Sequence, residues 1–132
     1  MSVRSILCVD DSPSDLRMLE TTLTGAGYVV ATAQNGKQAV EAAARIKRVL
    51  VFMDVNMPEM DGFQATRTLS GSAETKMIPV VLVTAKDQKA DRVWGQMLGV
   101  KGYITKPYPP QALLDMVKAI GQLLSEPRSR RP

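Results

Sequence analysis

The chain has 132 residues, enough for one domain and too few for two of ordinary size. Hydrophobic residues make up 45% and charged residues 23%, the proportions of a globular domain, which sets aside long disorder and fibrous repeats. The net charge is +4, but Arg128, Arg130 and Arg131 crowd the end of the chain and read as a solvated tail, so no DNA binding is expected. No apolar run approaches the roughly 20 residues that span a bilayer, so a cytoplasmic chain without a membrane segment is expected. The complete lack of histidine excludes Ser-His-Asp and Cys-His catalysis, histidine-bound zinc or haem, and a phosphohistidine carrier. The one cysteine, Cys8, sits in an apolar run and reads as a buried thiol in a reducing compartment.

In chain order, strands are predicted over residues 5–9, 28–33, 49–53, 80–83 and 102–104. Helical spacing fills the intervals. Leu16, Leu19 and Leu23 mark a first helix that stops at Gly25 and Gly27; Ala39, Val40, Ala43 and Ile46 mark a second after Asn35 and Gly36. A third begins near Asp61, carries Phe63, Ala65 and Leu69, and ends near Gly71. The fourth runs from about residue 87 to 98 and stops at Gly99. On it Val93 and Met97 share the face of Trp94, which reads as a packing residue ahead of a partner-binding anchor. Leu113, Val117, Ile120 and Leu124 stripe the last helix, and the stretch 125–132 reads as a flexible basic tail behind a domain spanning 1–124. Strands alternating with helices imply right-handed βαβ units and a doubly wound α/β fold, a parallel sheet covered on both faces.

In such folds chemistry gathers at the carboxyl ends of the strands. The first strand here ends in Asp10 and Asp11, the third in Asp54, the fourth in Thr84, and the fifth runs into Lys106. One carboxylate after a strand is commonly only a helix cap, and Thr84 or Lys106 alone would be an ordinary strand end and a surface lysine. Three acids together repel one another, and with no arginine or histidine nearby they call for a bound cation, for which hard oxygen ligands suit Mg²⁺. The set fits phosphoryl transfer: Asp54 as nucleophile, with the metal, Lys106 and Thr84 on the oxygens of the moving group. No P-loop or GxGxxG stretch is present.

The segments Ile6-Leu7-Cys8-Val9-Asp10-Asp11-Ser12, Met53-Asp54-Val55-Asn56-Met57-Pro58-Glu59-Met60-Asp61-Gly62, Val83-Thr84-Ala85 and Gly102-Tyr103-Ile104-Thr105-Lys106-Pro107 resemble the CheY-like receiver domains of two-component response regulators. The resemblance covers about residues 4–124. It implies a flavodoxin-like (βα)5 fold with strand order 2-1-3-4-5, and a histidine kinase or phosphotransfer protein as phosphodonor. It also implies Asp54 as acceptor, Mg²⁺ held by the side chains of Asp11 and Asp54 and the backbone carbonyl of Asn56, and Asp10 acting mostly through water. A switch follows from the same resemblance, in which Thr84 moves toward the phosphoryl group, Tyr103 turns inward, and helix four, strand five and helix five present a changed face to a downstream protein; an ordinary half-buried strand residue is the other reading of Tyr103. Lys106-Pro107 is similar to the family's cis peptide. Pro58 and Gly62 shape a turn, and Asn56 and Lys86 flank the pocket.

Phe63-Gln64-Ala65-Thr66-Arg67, Glu74-Thr75-Lys76 and the run from Asp87 to Gly95 are similar to the stand-alone twitching-motility regulators of the PilG/PilH type, which act with type IV pili. Arg45-Ile46-Lys47-Arg48-Val49 departs from that pattern, where relatives carry a Pro-Asp pair. With few residues after the last helix, a monomeric phosphorylation switch without an output domain is expected. A phosphate-independent interaction module is the alternative, against which the complete set of site residues speaks. A Mg²⁺-dependent phosphohydrolase with an aspartate nucleophile would want an acid where Asn56 stands and a cap domain this length does not hold.

Overall fold

A computed structural model of the chain describes residues 4–46, 48–57, 59–85 and 89–125, with 89–91 and 123–125 described by their backbone alone. Aliphatic and β-branched runs form β1 (Ser5–Val9), β2 (Val29–Ala33), β3 (Val49–Asp54), β4 (Val80–Thr84) and β5 (Gly102–Thr105). Between and after them lie α1 (Pro13–Gly25), α2 (Gly36–Arg45), α3 (Gly62–Ser70), α4 (Lys89–Met97) and α5 (Pro110–Ser125). All strand pairs are parallel, in the order β2-β1-β3-β4-β5. Strands three, four and five each run one residue past the predicted end, so Asp54 and Thr84 are the closing residues of their strands.

Local signals set the helix ends. Ser12 caps α1 by accepting the Asp15 N–H, with Pro13 at the first helical position, where a missing N–H does no harm. Asn35 caps α2 by accepting the Gln38 N–H. Asp61 and Gln64 form a reciprocal capping box on α3. Ile46, predicted as part of the helical stripe of α2, is instead its extended C-terminal cap, and Arg48 turns the chain into β3 with φ of 56°. Lys47, Pro58 and Lys86 lie outside the described residues, as do the predicted start of the fourth helix at residue 87, the side chain of Leu124 and the tail from 126.

Alternation along the strands sorts the core into two layers. Ile6, Cys8, Leu50, Phe52, Val81, Val83 and Ile104 pack with Leu16, Leu19 and Leu23 of α1 and Leu113, Val117 and Ile120 of α5. Leu7, Val9, Val51, Met53 and Leu82 take the other face, with Ala39 and Ala43 of α2 and Ala65 and Leu69 of α3. Each large apolar side chain buried this way contributes roughly 1.5–3 kcal/mol. That gain lets the central β3, buried along its whole length, end in a buried carboxylate.

The packing role expected of the face of Trp94 is corrected. Val93 and Met97 are 48% and 73% exposed, and Trp94, 40% exposed, makes a T-shaped contact with Phe63 at a ring separation of 6.3 Å. It is Gly95 that faces the sheet: a Cβ there would stand 3.1 Å from Leu82 Cδ1 and 3.3 Å from Val100 Cγ2. The close approach of helix to strand decided the orientation of α4, and the apolar stripe was left facing water. Among the described residues, no helix is long and apolar enough to cross a membrane.

Candidate functional site

Register brings the acids together. Val9 of β1 pairs with Met53 of β3, so the next residues, Asp10 and Asp54, stand level at the carboxyl rim. Asp10 is buried; its N–H donates to the Ala33 carbonyl (3.2 Å) and its Oδ1 accepts the Ser12 N–H (2.9 Å), so the turn into α1 fixes both its backbone and its side chain. Asp54 is buried and Asp11 exposed, and one carboxylate oxygen from each of the three lies within 4.8 Å of the others.

Lys106 enters this cluster from β5. Its N–H donates to the Thr84 carbonyl (2.7 Å), tying the ends of β4 and β5, and the Lys106-Pro107 peptide is cis, as the resemblance implied. Its Nζ donates to Asp10 Oδ2 (2.8 Å) and to Asp15 Oδ2 (2.9 Å), and stands 3.5 Å from Asp54 Oδ1. Lys106 therefore joins the acids at the rim, as its spacing predicted, and neutralises part of their charge. Asp15, on the first turn of α1, is a site residue that sequence reasoning missed.

The electrostatics follow from this crowding. Burial first, then the charge of Asp10, with Asp11 adding, pushes the Asp54 carboxyl up to about 6 from the usual 3.8, while Lys106 pulls against them. Burial works against the Lys106 ammonium. Hydrogen bonds to Asp10 and Asp15, followed by the charges of Asp54 and Asp10, outweigh it and hold the ammonium above the ordinary lysine range. Lys106 thus stays charged while Asp54 retains more negative surroundings than one lysine satisfies. Cys8, fully buried beneath this rim, has its thiol pushed up to about 12 by burial, with the charge of Glu20 adding, and is inert as predicted.

The remaining predicted residues lie on the neighbouring strands β4 and β5 and in the loop after β3. Thr84 is buried at the end of β4. Tyr103 is half-buried, packs on the core layer of α2 and α3, and has the Arg92 guanidinium 5.1 Å from its ring centroid. Asn56 lies two residues beyond Asp54 with its side chain exposed. The loop after β3 passes Glu59 at φ of 68° and returns at Gly62, whose N–H donates to the Val55 carbonyl (2.9 Å). A Cβ on Gly62 would meet the Asp54 carbonyl oxygen at 2.3 Å, so glycine is what lets α3 start against the end of β3.

Residues 6–118 match the family described as the response regulator receiver domain. The chain is similar to protein PilH of Pseudomonas aeruginosa, 45% identical over 115 residues that cover 87% of this chain and 95% of PilH. It is also similar in structure to the chemotaxis protein CheY4 of Vibrio cholerae, with a TM-score of 0.84 and 31% identity over 90% of this chain and 99% of that one. The receiver domain of a sensor histidine kinase from P. aeruginosa, solved with a magnesium ion coordinated in its active-site cleft, gives a TM-score of 0.81 and 29% identity, over 89% of this chain and 97% of that one.

Proposed function

The chain belongs to the response regulator receiver family, and from that membership we propose that it is a phosphorylation switch, taking a phosphoryl group from a histidine kinase or phosphotransfer protein onto Asp54. One observation carries the reading: a buried carboxylate flanked by two more acids, with a lysine ammonium 3.5 Å from it. Asp54 attacks phosphorus through a carboxylate oxygen, a P–O bond forms, and the bond to the donor nitrogen breaks. Lys106, held charged, pairs with the oxygens of the incoming group, and the Thr84 hydroxyl donates to another of them. Burial keeps these charges strong and limits the access of water to the acyl phosphate.

The donor set fits Mg²⁺. Asp10, Asp11 and Asp54 offer hard oxygens within one small space, and burial first, with the charges of Asp10 and Asp11 adding, raises the Asp54 carboxyl despite Lys106. Asp10, Asp11, Asp54 and the Asn56 carbonyl would hold the ion, which when bound supplies positive charge to the phosphoryl oxygens. The magnesium in the similar sensor-kinase receiver supports this assignment. Magnesium should raise the melting temperature at matched ionic strength, by as much as about 2.7 kcal/mol of stabilisation at a hundredfold excess over Kd. Asp11→Asn should show a smaller rise by calorimetry; equal rises in both proteins would remove the dedicated site.

Output runs through α4, β5 and α5, and the pathway is one of the twitching-motility, type IV pilus kind. The 45% identity to PilH and the segments around Phe63 and Trp94 support that assignment. A phosphoryl group adds roughly −1.5 to −2 charge beside Thr84 and Lys106, and shifts the population between arrangements of this face. Beryllofluoride, which occupies the phosphoryl position, should perturb backbone NMR signals of residues 85–99 and 102–106 more than those of α2. Large changes confined to the acids, or spreading to α2, would refute this output face; a tight, metal-independent partner complex would favour a phosphate-independent module.

A further inference from the structure

Among the three carboxylates around Lys106, Asp15 stands apart. Asp10 and Asp54 belong to the acid cluster at the rim, whereas Asp15 belongs to the first turn of α1 and is placed there by the Ser12 cap. It is 43% exposed, yet it meets Lys106 Nζ at 2.9 Å, closer than Asp54 does at 3.5 Å. The ammonium has three N–H donors, and two are already directed at Asp10 and Asp15. When the rim acids take up a metal and a phosphoryl group, Asp15 is the partner of Lys106 that neither event consumes.

We propose that Asp15 is a positioning residue that holds the Lys106 ammonium toward α1 in the resting protein and competes with the phosphoryl group for it. This rests on Asp54 being the acceptor. The consequence is a built-in brake: part of the attraction Lys106 offers the phosphoryl oxygens is offset by the loss of Asp15. Removing the carboxylate at position 15 releases the ammonium and tightens the phosphorylated state. A partly exposed ion pair sets the size of the effect at roughly two- to fivefold in affinity.

Beryllofluoride titrated into the full chain with saturating Mg²⁺, followed by NMR, tests the proposal. Asp15→Asn should bind about two- to fivefold more tightly than the wild type, and Asp15→Glu, which keeps the carboxylate, should stay near the wild-type value. In a Lys106→Gln background the same Asp15→Asn change should have no effect. Tightening of equal size in that background would mean that position 15 acts only through the general field, and would overturn the proposal, as would unchanged or weaker binding in Asp15→Asn alone. A second readout needs neither metal nor fluoride: the ¹⁵Nζ resonance of Lys106 should move in Asp15→Asn and hold its place in Asp15→Glu, and an unmoved resonance in Asp15→Asn would also overturn it. A wild-type chain that binds no beryllofluoride would instead overturn the reading of Asp54 as acceptor, and the brake with it.

Discussion

Asp54→Asn will take up no phosphoryl group, and without divalent metal it will melt above the wild-type chain. The first half follows from geometry, since Asp54 is the buried carboxylate that closes β3, clustered with Asp10 and Asp11 and 3.5 Å from the Lys106 ammonium. Incubation with acetyl phosphate and Mg²⁺, borohydride trapping and peptide mass spectrometry should find label at Asp54 alone; label elsewhere, or undiminished in the variant, would refute it. The second half follows from the carboxyl pushed up to about 6 by burial and by its acidic neighbours. Because the folded state binds this proton more tightly than the unfolded chain, wild-type stability in chelator should fall as pH rises from about 4 to 6 and stay lower above that window. The ionised Asp54 then costs about 1–3 kcal/mol at neutral pH, which the isosteric amide avoids. Thermal melts in chelator across pH 4 to 8 should show the wild-type fall and a shallower slope in the variant. A variant that melts lower at pH 7 would show that Lys106 already stabilises the ionised carboxylate.

Gly62→Ala should be among the most damaging small substitutions in the chain. The added methyl would meet the Asp54 carbonyl oxygen at 2.3 Å and Val55 Cα at 3.0 Å, and both are backbone atoms at the end of β3 and its exit. Neither is the flexible end of a side chain, so either α3 retreats and loses its bond to the Val55 carbonyl, or Asp54 is displaced from the cluster. Overpacking of this kind costs about 3 kcal/mol. Gly25→Ala, at the end of α1 with nothing within 4 Å of the added methyl, should be neutral or slightly stabilising. Urea denaturation of the two variants makes the comparison, and equal midpoints would mean that the turn after β3 yields easily.

The sequence revealed what repeats and what closes a strand. Valine-rich runs, Gly and Asn stops and the acids just beyond the strands sufficed to find five strands, five helices and the convergence of Asp10, Asp11, Asp54 and Lys106, because a parallel sheet turns a one-dimensional spacing into a shared rim. Asp15 was not legible. An acidic residue in the first turn of a helix is favourable there whatever else it does, and its meeting with Lys106 joins residues 91 positions apart. The orientation of α4 was misread for a related reason, since apolar spacing suggested that Val93, Trp94 and Met97 faced inward. Gly95 held the missing signal: a glycine inside a helix costs roughly 1 kcal/mol relative to alanine, which suggests that something passes too close for a side chain.

The division of the sheet into two faces has a bearing on how such a chain can diversify. Lys106 meets Asp10 and Asp15 on the side of α1, whereas Tyr103 and Leu82 lie on the other side, with Leu82 close to Gly95 of α4. Apart from Gly95, the residues of α4 with described side chains are exposed. Substitutions at well-separated sites with no shared partners combine nearly additively. Substitutions at Val93, Trp94 and Met97, exposed on α4, should therefore leave the geometry of the acids and Lys106 unchanged.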